Sequence, residues 1–252
     1  MASQTQLGVT SHNIANALTP GYSRQEVILE VTTPVAQTQG FVGRGVSVAG
    51  IKRFYDGFLQ SQIVGSQQDY GKSYTLSQAL AGVEQFFNET QNLGLAKPLT
   101  DYFNAWQGVA SNPEGLAERN LLLQKAEALV ISAQRTEQGL TDILKHTEEG
   151  IADLTDQINS LAVKIARLND QITQAEIGST VNTANDLRDQ RDGTLKELSN
   201  LVELSSREDT DNGALTVTIG LKTLVSGITA NTLSTVYNQE GNYALQLDGE
   251  DI

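Results

Sequence analysis

The chain has no cysteine in 252 residues. That excludes disulfides, thiol nucleophiles and thiolate metal sites. Its two histidines, His12 and His146, lie far apart in sequence, which leaves little basis for a histidine metal centre. Aromatic residues make up 6% against 39% hydrophobic residues overall, so the chain can fold but not around a large aromatic core. No apolar run approaches the roughly 20 residues of a membrane-spanning helix. No basic segment followed by an apolar run reads as a secretory signal peptide. Basic residues are also scarce, 17 against 30 acidic, for a net charge of −13. Phosphate-backbone binding needs clustered Lys and Arg, so nucleic acid is not an expected partner. The acidity is uneven: residues 1–60 carry +1, residues 206–252 carry −5, and the middle holds the rest.

Sequence patterns of catalysis and ligand binding are equally thin. Gly43 and Gly45 suggest a dinucleotide loop, but Val48 occupies the third glycine position. The run Asp209 to Asp211 suggests a calcium loop, but Ala214 stands where glycine is needed. Acid pairs such as Asp186 with Asp189, or Glu148 with Glu149, read as solvated helical faces rather than general acid–base pairs. There is no G-x-S-x-G elbow, no H-E-x-x-H and no P-loop. Asn88 to Thr90 matches the short glycosylation pattern, which arises often by chance. No cofactor is expected.

Three textures follow one another along the chain. Residues 1–60 are poor in charge and read as the end of a helix, a turn and an extended β arm. Leu7, Ser11, Ile14 and Leu18 share one helical face, and the helix is expected to begin further upstream. Thr19, Pro20, Gly21 and Tyr22 then have the residues of a type II turn. Glu26–Val31 reads as a strand, and Phe41–Ile51 as a bent hairpin or arm.

Residues 61–205 read as a helical bundle. Ile151, Leu154, Ile158, Leu161, Ile165, Leu168 and Ile172 are spaced alternately by three and four, an a/d seam. A weaker seam runs back through Thr147, Leu144, Leu140, Glu137, Ala133, Val130, Ala126 and Leu123. Asn112 before Pro113 predicts the start of this helix, and Gly178 its end. One helix of about 60 residues would be roughly 90 Å long. Gly139 and Gly150 are its expected break points, each costing about 1 kcal/mol against Ala. Residues 66–110 and 184–202 offer antiparallel partners, including Trp106, Leu187, Leu195 and Leu198. The seam is therefore expected to be intramolecular core.

Residues 206–252 read as short strands. Asp211-Asn212-Gly213 signals a turn, and Leu215, Val217 and Ile219 alternate with polar residues, as Tyr243, Leu245 and Leu247 do later. So few strands are expected to leave an apolar face uncovered, which marks an incomplete β domain. The fold class is mainly α: an elongated bundle of long antiparallel helices, an N-terminal β-hairpin segment and a small C-terminal β portion of an incomplete outer domain.

The run His12–Gln25, with Asn13, Asn16, Thr19, Pro20, Gly21, Tyr22 and Arg24, resembles the signature shared by flagellar rod, hook and hook-associated proteins. Three further stretches are similar to the first hook-associated proteins, the FlgK family. They are Gly43–Asp56, with Gly45, Val46 and Arg53; Leu99–Trp106 running into Pro113; and Asp186–Leu198, with Asp189, Arg191, Asp192 and Leu195.

The resemblance implies a structural subunit, not an enzyme, in a ring between hook and filament. It would be exported by the flagellar type III apparatus to the cell exterior. Its partners would be copies of itself in the full-length assembled state, the hook protein and the second hook-associated junction protein. Family members carry a further helix upstream and return through helices downstream, so this piece alone is expected to be a monomer.

In this reading Asn13, Asn16, Thr19, Pro20, Gly21, Tyr22 and Arg24 form the assembly turn. Gly43, Gly45, Val46, Arg53 and Asp56 lie on an arm that touches a neighbouring subunit. Trp106, Ile151, Leu154, Ile158, Leu161, Ile165, Leu168, Leu187, Leu195 and Leu198 form the bundle core. A hook or rod protein would lack the long bundle, and a type III-secreted helical adhesin or tip module would lack the turn signature. A wall-cleaving muramidase would need a carboxylate in a cleft, and no candidate stands out.

Overall fold

The structure, a computed structural model, describes residues 1–37, 40–87, 94–178, 184–210, 212–237 and 243–252. The sequence features at Asn88–Thr90 and at Asp211 fall outside them. Among the described residues there are five helices, α1 (Ala2–Ala15), α2 (Gly57–Phe86), α3 (Ala96–Ser111), α4 (Leu116–Glu176) and α5 (Asn185–Ser199). Strands β1 (Gln25–Val31), β2 (Val35–Gln37), β3 (Gly40–Val42) and β4 (Val46–Arg53) lie between α1 and α2. Seven more follow α5: β5 (Ser205–Glu208), β6 (Leu215–Ile219), β7 (Lys222–Ser226), β8 (Thr229–Ala230), β9 (Leu233–Tyr237), β10 (Tyr243–Leu247) and β11 (Glu250–Asp251). The chain divides into two compact units, residues 1–71 with 154–252, and residues 72–153.

In the first unit, α1 ends in the expected turn. Tyr22 N–H donates to the Thr19 carbonyl, and Gly21 adopts φ +80°, the left-handed value that a type II turn requires. The arm is a long antiparallel hairpin of β1 on β4, in register Val31 with Val46 and Gln25 with Arg53, with a bulge after Ile28. The short pair β2–β3 continues it.

The core of this unit joins helices to sheets. α5 runs antiparallel to the last part of α4: Arg188 meets Glu176, Arg191 meets Asn169, and Leu201 lies beside Leu161. Two antiparallel sheets follow, ordered β5-β6-β7-β8 and β11-β10-β9. Ile158, Ala162, Ile165 and Ala166 of α4 share one buried cluster with Leu195, Leu198, Val217, Leu224, Leu233 and Leu247. The apolar face of the late strands, expected to stay uncovered, is therefore covered by the helices. Alternation along β6 put Leu215, Val217 and Ile219 inward as a half-buried strand should.

In the second unit α2 packs on α4. The Phe86 ring occupies the space a Cβ at Gly139 would need, and Ile143 would touch a Cβ at Gly82. α3 joins through Asp101, which accepts from Lys125 of α4 at 2.9 Å. Three expectations are corrected here. α4 is continuous through Gly139 and Gly150. Asn112 closes α3, donating its N–H to the Gly108 carbonyl, and α4 begins only at Leu116. Trp106 is 47% exposed rather than core; Ala105 is the buried residue of α3, and Trp106 stacks edge-on with Tyr102.

Heptad extrapolation along α4 also drifts. Ile158, Ile165, Leu168 and Ile172 are buried, and Ile151, Leu154 and Leu161 are half-buried. Further back, Leu123, Val130 and Leu144 are exposed, while Leu122, Leu129, Thr136, Gly139 and Ile143 are sheltered. The sheltered positions come one residue early. A plain α-helix gains about 20° per heptad on a strict seven-residue repeat, so four heptads shift the stripe by about one residue.

Candidate functional site

Candidate functional residues converge on α5. Its sequence alternates acids and arginines at Asp186, Arg188, Asp189, Arg191 and Asp192, and all but Asp186 are buried. Buried charges persist only when paired, and here each face of the helix has its own partners.

Toward the N-terminal segment, Arg53 Nη1 donates to Asp189 Oδ1 at 2.8 Å and Asp192 Oδ2 at 2.6 Å. The Arg53 side chain is only 7% exposed and lies 4.1 Å over the Tyr55 ring. Ser23 N–H donates to the other Asp189 oxygen at 2.7 Å. The Gln25 amide donates to Asp186 at 2.6 Å, and Asn185 donates to the Ile51 carbonyl at 2.8 Å. His12 Nε2 stands 3.5 Å from Asp186.

Toward the sheets, Arg188 pairs with Glu176 at 2.8 Å and with Glu208. Arg191 reaches Glu208, the Asn169 amide oxygen and the Gly213 carbonyl. Burial opposes the Arg188 charge, but Glu176 and Glu208 outweigh it and hold its pKa above the ordinary arginine value. At Arg191 burial wins over Glu208 and Asp192, and the pKa falls. Burial likewise pushes the Asp192 carboxyl above the ordinary aspartate range, against the pull of Arg53.

Asparagines start the strands. Asn13 of α1 donates to the Gln25 carbonyl and accepts from Gln25 N–H, both at 2.9 Å, so its amide acts as a strand neighbour for the first residue of β1. Tyr22 O–H donates to the same Asn13 oxygen at 2.7 Å. Asn169 does this for Leu215, the first residue of β6, and Asn159 for Leu233, the first of β9. An amide matches a peptide group in both donor and acceptor, which is why asparagine suits this place.

The remaining turn residues support the same geometry. Asn16 donates to the His12 carbonyl and Thr19 to Asn16, while Pro20 and Gly21 are exposed. Arg24 stacks 4.0 Å over Phe54, whose N–H donates to the Arg24 carbonyl.

The arm residues part company. Arg53 is spent inside the chain, which corrects its placement at a subunit contact. Asp56 caps α2, accepting from Phe58 and Leu59 N–H. Gly43, Gly45 and Val46 are exposed, and the Gly45 carbonyl accepts from Thr32. Leu195 and Leu198 are buried and Leu187 half-buried. Sequence reading missed the ionic role of Arg188, Arg191, Glu176 and Glu208. The available signal was five charges of alternating sign, Asp186 to Asp192, among leucines on one short helix.

A cleft lined by His12, Asn16, Tyr22, Lys164, Asp186 and Glu197 borders this hub. Asp186 and Asp189, expected on a solvated helical face, both act as hydrogen-bond acceptors there; Asp186 is exposed, but Asp189 is buried, which corrects that expectation. Among the described residues no group of three or more His, Asp or Glu side chains is placed to hold a metal ion, and no helix is long and apolar enough to cross a membrane. The arrangement positions segments against one another.

Comparison with known proteins gives the same picture of the chain. Residues 80–251 match the model of the flagellar hook-associated protein FlgK helical domain. Flagellar hook-associated protein 1 of Salmonella typhimurium is 35% identical over 236 residues, covering 93% of this chain and 42% of that protein. Flagellar hook-associated protein 1 of Escherichia coli strain K12 is 33% identical over the same length, with 43% of it covered. The solved structure of the flagellar hook junction protein FlgK from Burkholderia pseudomallei aligns with a TM-score of 0.63 at 27% identity, over 74% of this chain and 33% of that one. The chain thus spans less than half the length of the relatives it matches.

Proposed function

Because the chain belongs to the FlgK family of flagellar hook-associated proteins, we propose that it serves as a structural subunit of the junction between hook and filament, working by subunit packing without catalysis. The observation that carries this reading is how the signature residues are used. Asn13, Tyr22 and Gln25 of the turn, with Arg53 of the arm, are tied to one another or to α5. The apolar pairs Leu29–Val48 and Val31–Val46 meanwhile stay open to solvent.

A two-stranded ribbon with an open apolar face is marginal in water unless something covers it. In an assembled wall that cover is a neighbouring subunit. Gly43, Gly45 and Val46 sit on this ribbon or its connecting turn and are the contact residues of the proposal. The partners are copies of the full-length protein, the hook protein and the second hook-associated junction protein. Export runs through the flagellar type III apparatus to the cell exterior.

Immunogold labelling of intact flagella with antibody raised against residues 206–252 tests this. Gold confined to the boundary of hook and filament is the expected result. Gold spread along the filament, or held at the cell body, overturns it.

A further inference from the structure

We propose that the N-terminal segment, residues 1–56, is held to the rest of its unit by a polar latch on α5, not by the apolar core, so that it detaches as a body while the core stays folded.

Three observations carry this. First, among the described residues the buried apolar cluster begins at Val64, and the partly buried residues packed against it are Leu161, Leu201, Val202, Ala230 and Leu245. None comes from residues 1–56. Second, the ties that do cross are polar and directional. Arg53 to Asp189 and Asp192, Ser23 to Asp189, Gln25 to Asp186 and Asn185 to Ile51 all end on α5 within eight residues. Third, the segment holds itself together without α5. β1 pairs with β4 along its whole length, Asn13 clips α1 to Gln25, and Arg24 stacks on Phe54.

Hydrophobic contact is non-directional and tolerates sliding. A set of charge-assisted hydrogen bonds is satisfied in one geometry and costs heavily when half-made. The latch therefore has two states, engaged at one fixed angle or released. Arg53 is its centre, because a single nitrogen serves both buried carboxylates.

Hydrogen exchange by mass spectrometry on the whole chain tests the latch with Arg53→Met, which keeps length and apolar bulk but removes the charge. The Ser23 amide, which donates to Asp189, should exchange about a hundredfold faster, in line with the loss of a buried ion pair, while the amides that β1 and β4 bond to each other keep their protection. Amides of β6 and of α4 from 154 to 172 should be unchanged. The paired substitution D189N/D192N, which removes the anions and keeps their shape, should give the same pattern. Equal acceleration of arm and core, or recovery of R53M only as an unfolded chain, would show that the segment is part of the core and overturn the latch. No acceleration at Ser23, or loss of protection throughout β1 and β4, would overturn it too.

Discussion

Gly139 and Gly150 have the same helix propensity and different surroundings. The Phe86 ring fills the space beside Gly139, whereas nothing lies near Gly150. Gly150→Ala should stabilise by about 0.5–1 kcal/mol through propensity and a less flexible unfolded chain. Gly139→Ala gains the same term but overpacks the ring, at about 1–3 kcal/mol, and should destabilise. Urea midpoints of the two variants should move in opposite directions; movement together would mean that Phe86 does not pack at 139.

Arg191 has no exposure and donates to three groups. Arg191→Met removes a buried donor from Glu208, which keeps Arg188, from the Asn169 amide oxygen, which keeps Leu215 N–H, and from the Gly213 carbonyl, and should cost about 3–5 kcal/mol in urea unfolding.

Asp192 gives a pH dependence with a definite sign. Its folded pKa lies above the ordinary 3.8 because burial outweighs Arg53. A raised carboxyl opposes folding while ionised. That opposition is complete above the folded pKa and fades as pH falls toward the unfolded value. A carbon-detected titration should place the Asp192 midpoint above 3.8, and higher again in R53M. A midpoint below 3.8 would contradict the balance argued at the site.

At the scale of elements, α4 carries most of what the sequence made legible. The alternation of three and four located the buried stripe at Ile158, Ile165, Leu168 and Ile172, because those side chains meet a full core. It failed toward the N-terminus because a strict heptad implies supercoiling, and the sheltered residues there follow 3.6 per turn. Ile158→Asp or Ile165→Asp should abolish the cooperative thermal transition, while Leu144→Asp should change stability by less than about 0.5 kcal/mol. Equal effects at the two ends would reject the drift.

The turn at Gly21 and the strands β6 and β10 were legible from local chemistry. The ionic hub was not, since pairing of Arg53 with Asp189 spans 136 residues and no local rule reports it. Asn169 was the readable exception. It is a weak helix former set between Leu168 and Ile172, and such a residue inside an apolar stripe needs a backbone partner.

At the scale of the molecule, the charge distribution and the exposed ribbon point the same way. Residues 206–252 carry a net charge of −5, while residues 25–53 come to +1 and leave Phe41 79% and Val31 74% exposed. Under the proposed role the near-neutral arm with its open apolar side chains meets a neighbour, and the acidic strands face solvent. The chain covers 42% of its Salmonella relative. The proposed role assigns assembly to the full-length protein, so sedimentation of this chain at micromolar concentration should show a monomer; spontaneous rings or tubes would count against that proposal.

The decisive measurement is electron microscopy of a host strain whose gene for the full-length protein has been deleted. The proposed role requires complete hooks without attached filaments, and filaments restored when the wild-type gene is returned. Filaments attached normally to the hooks of the deletion strain would contradict it.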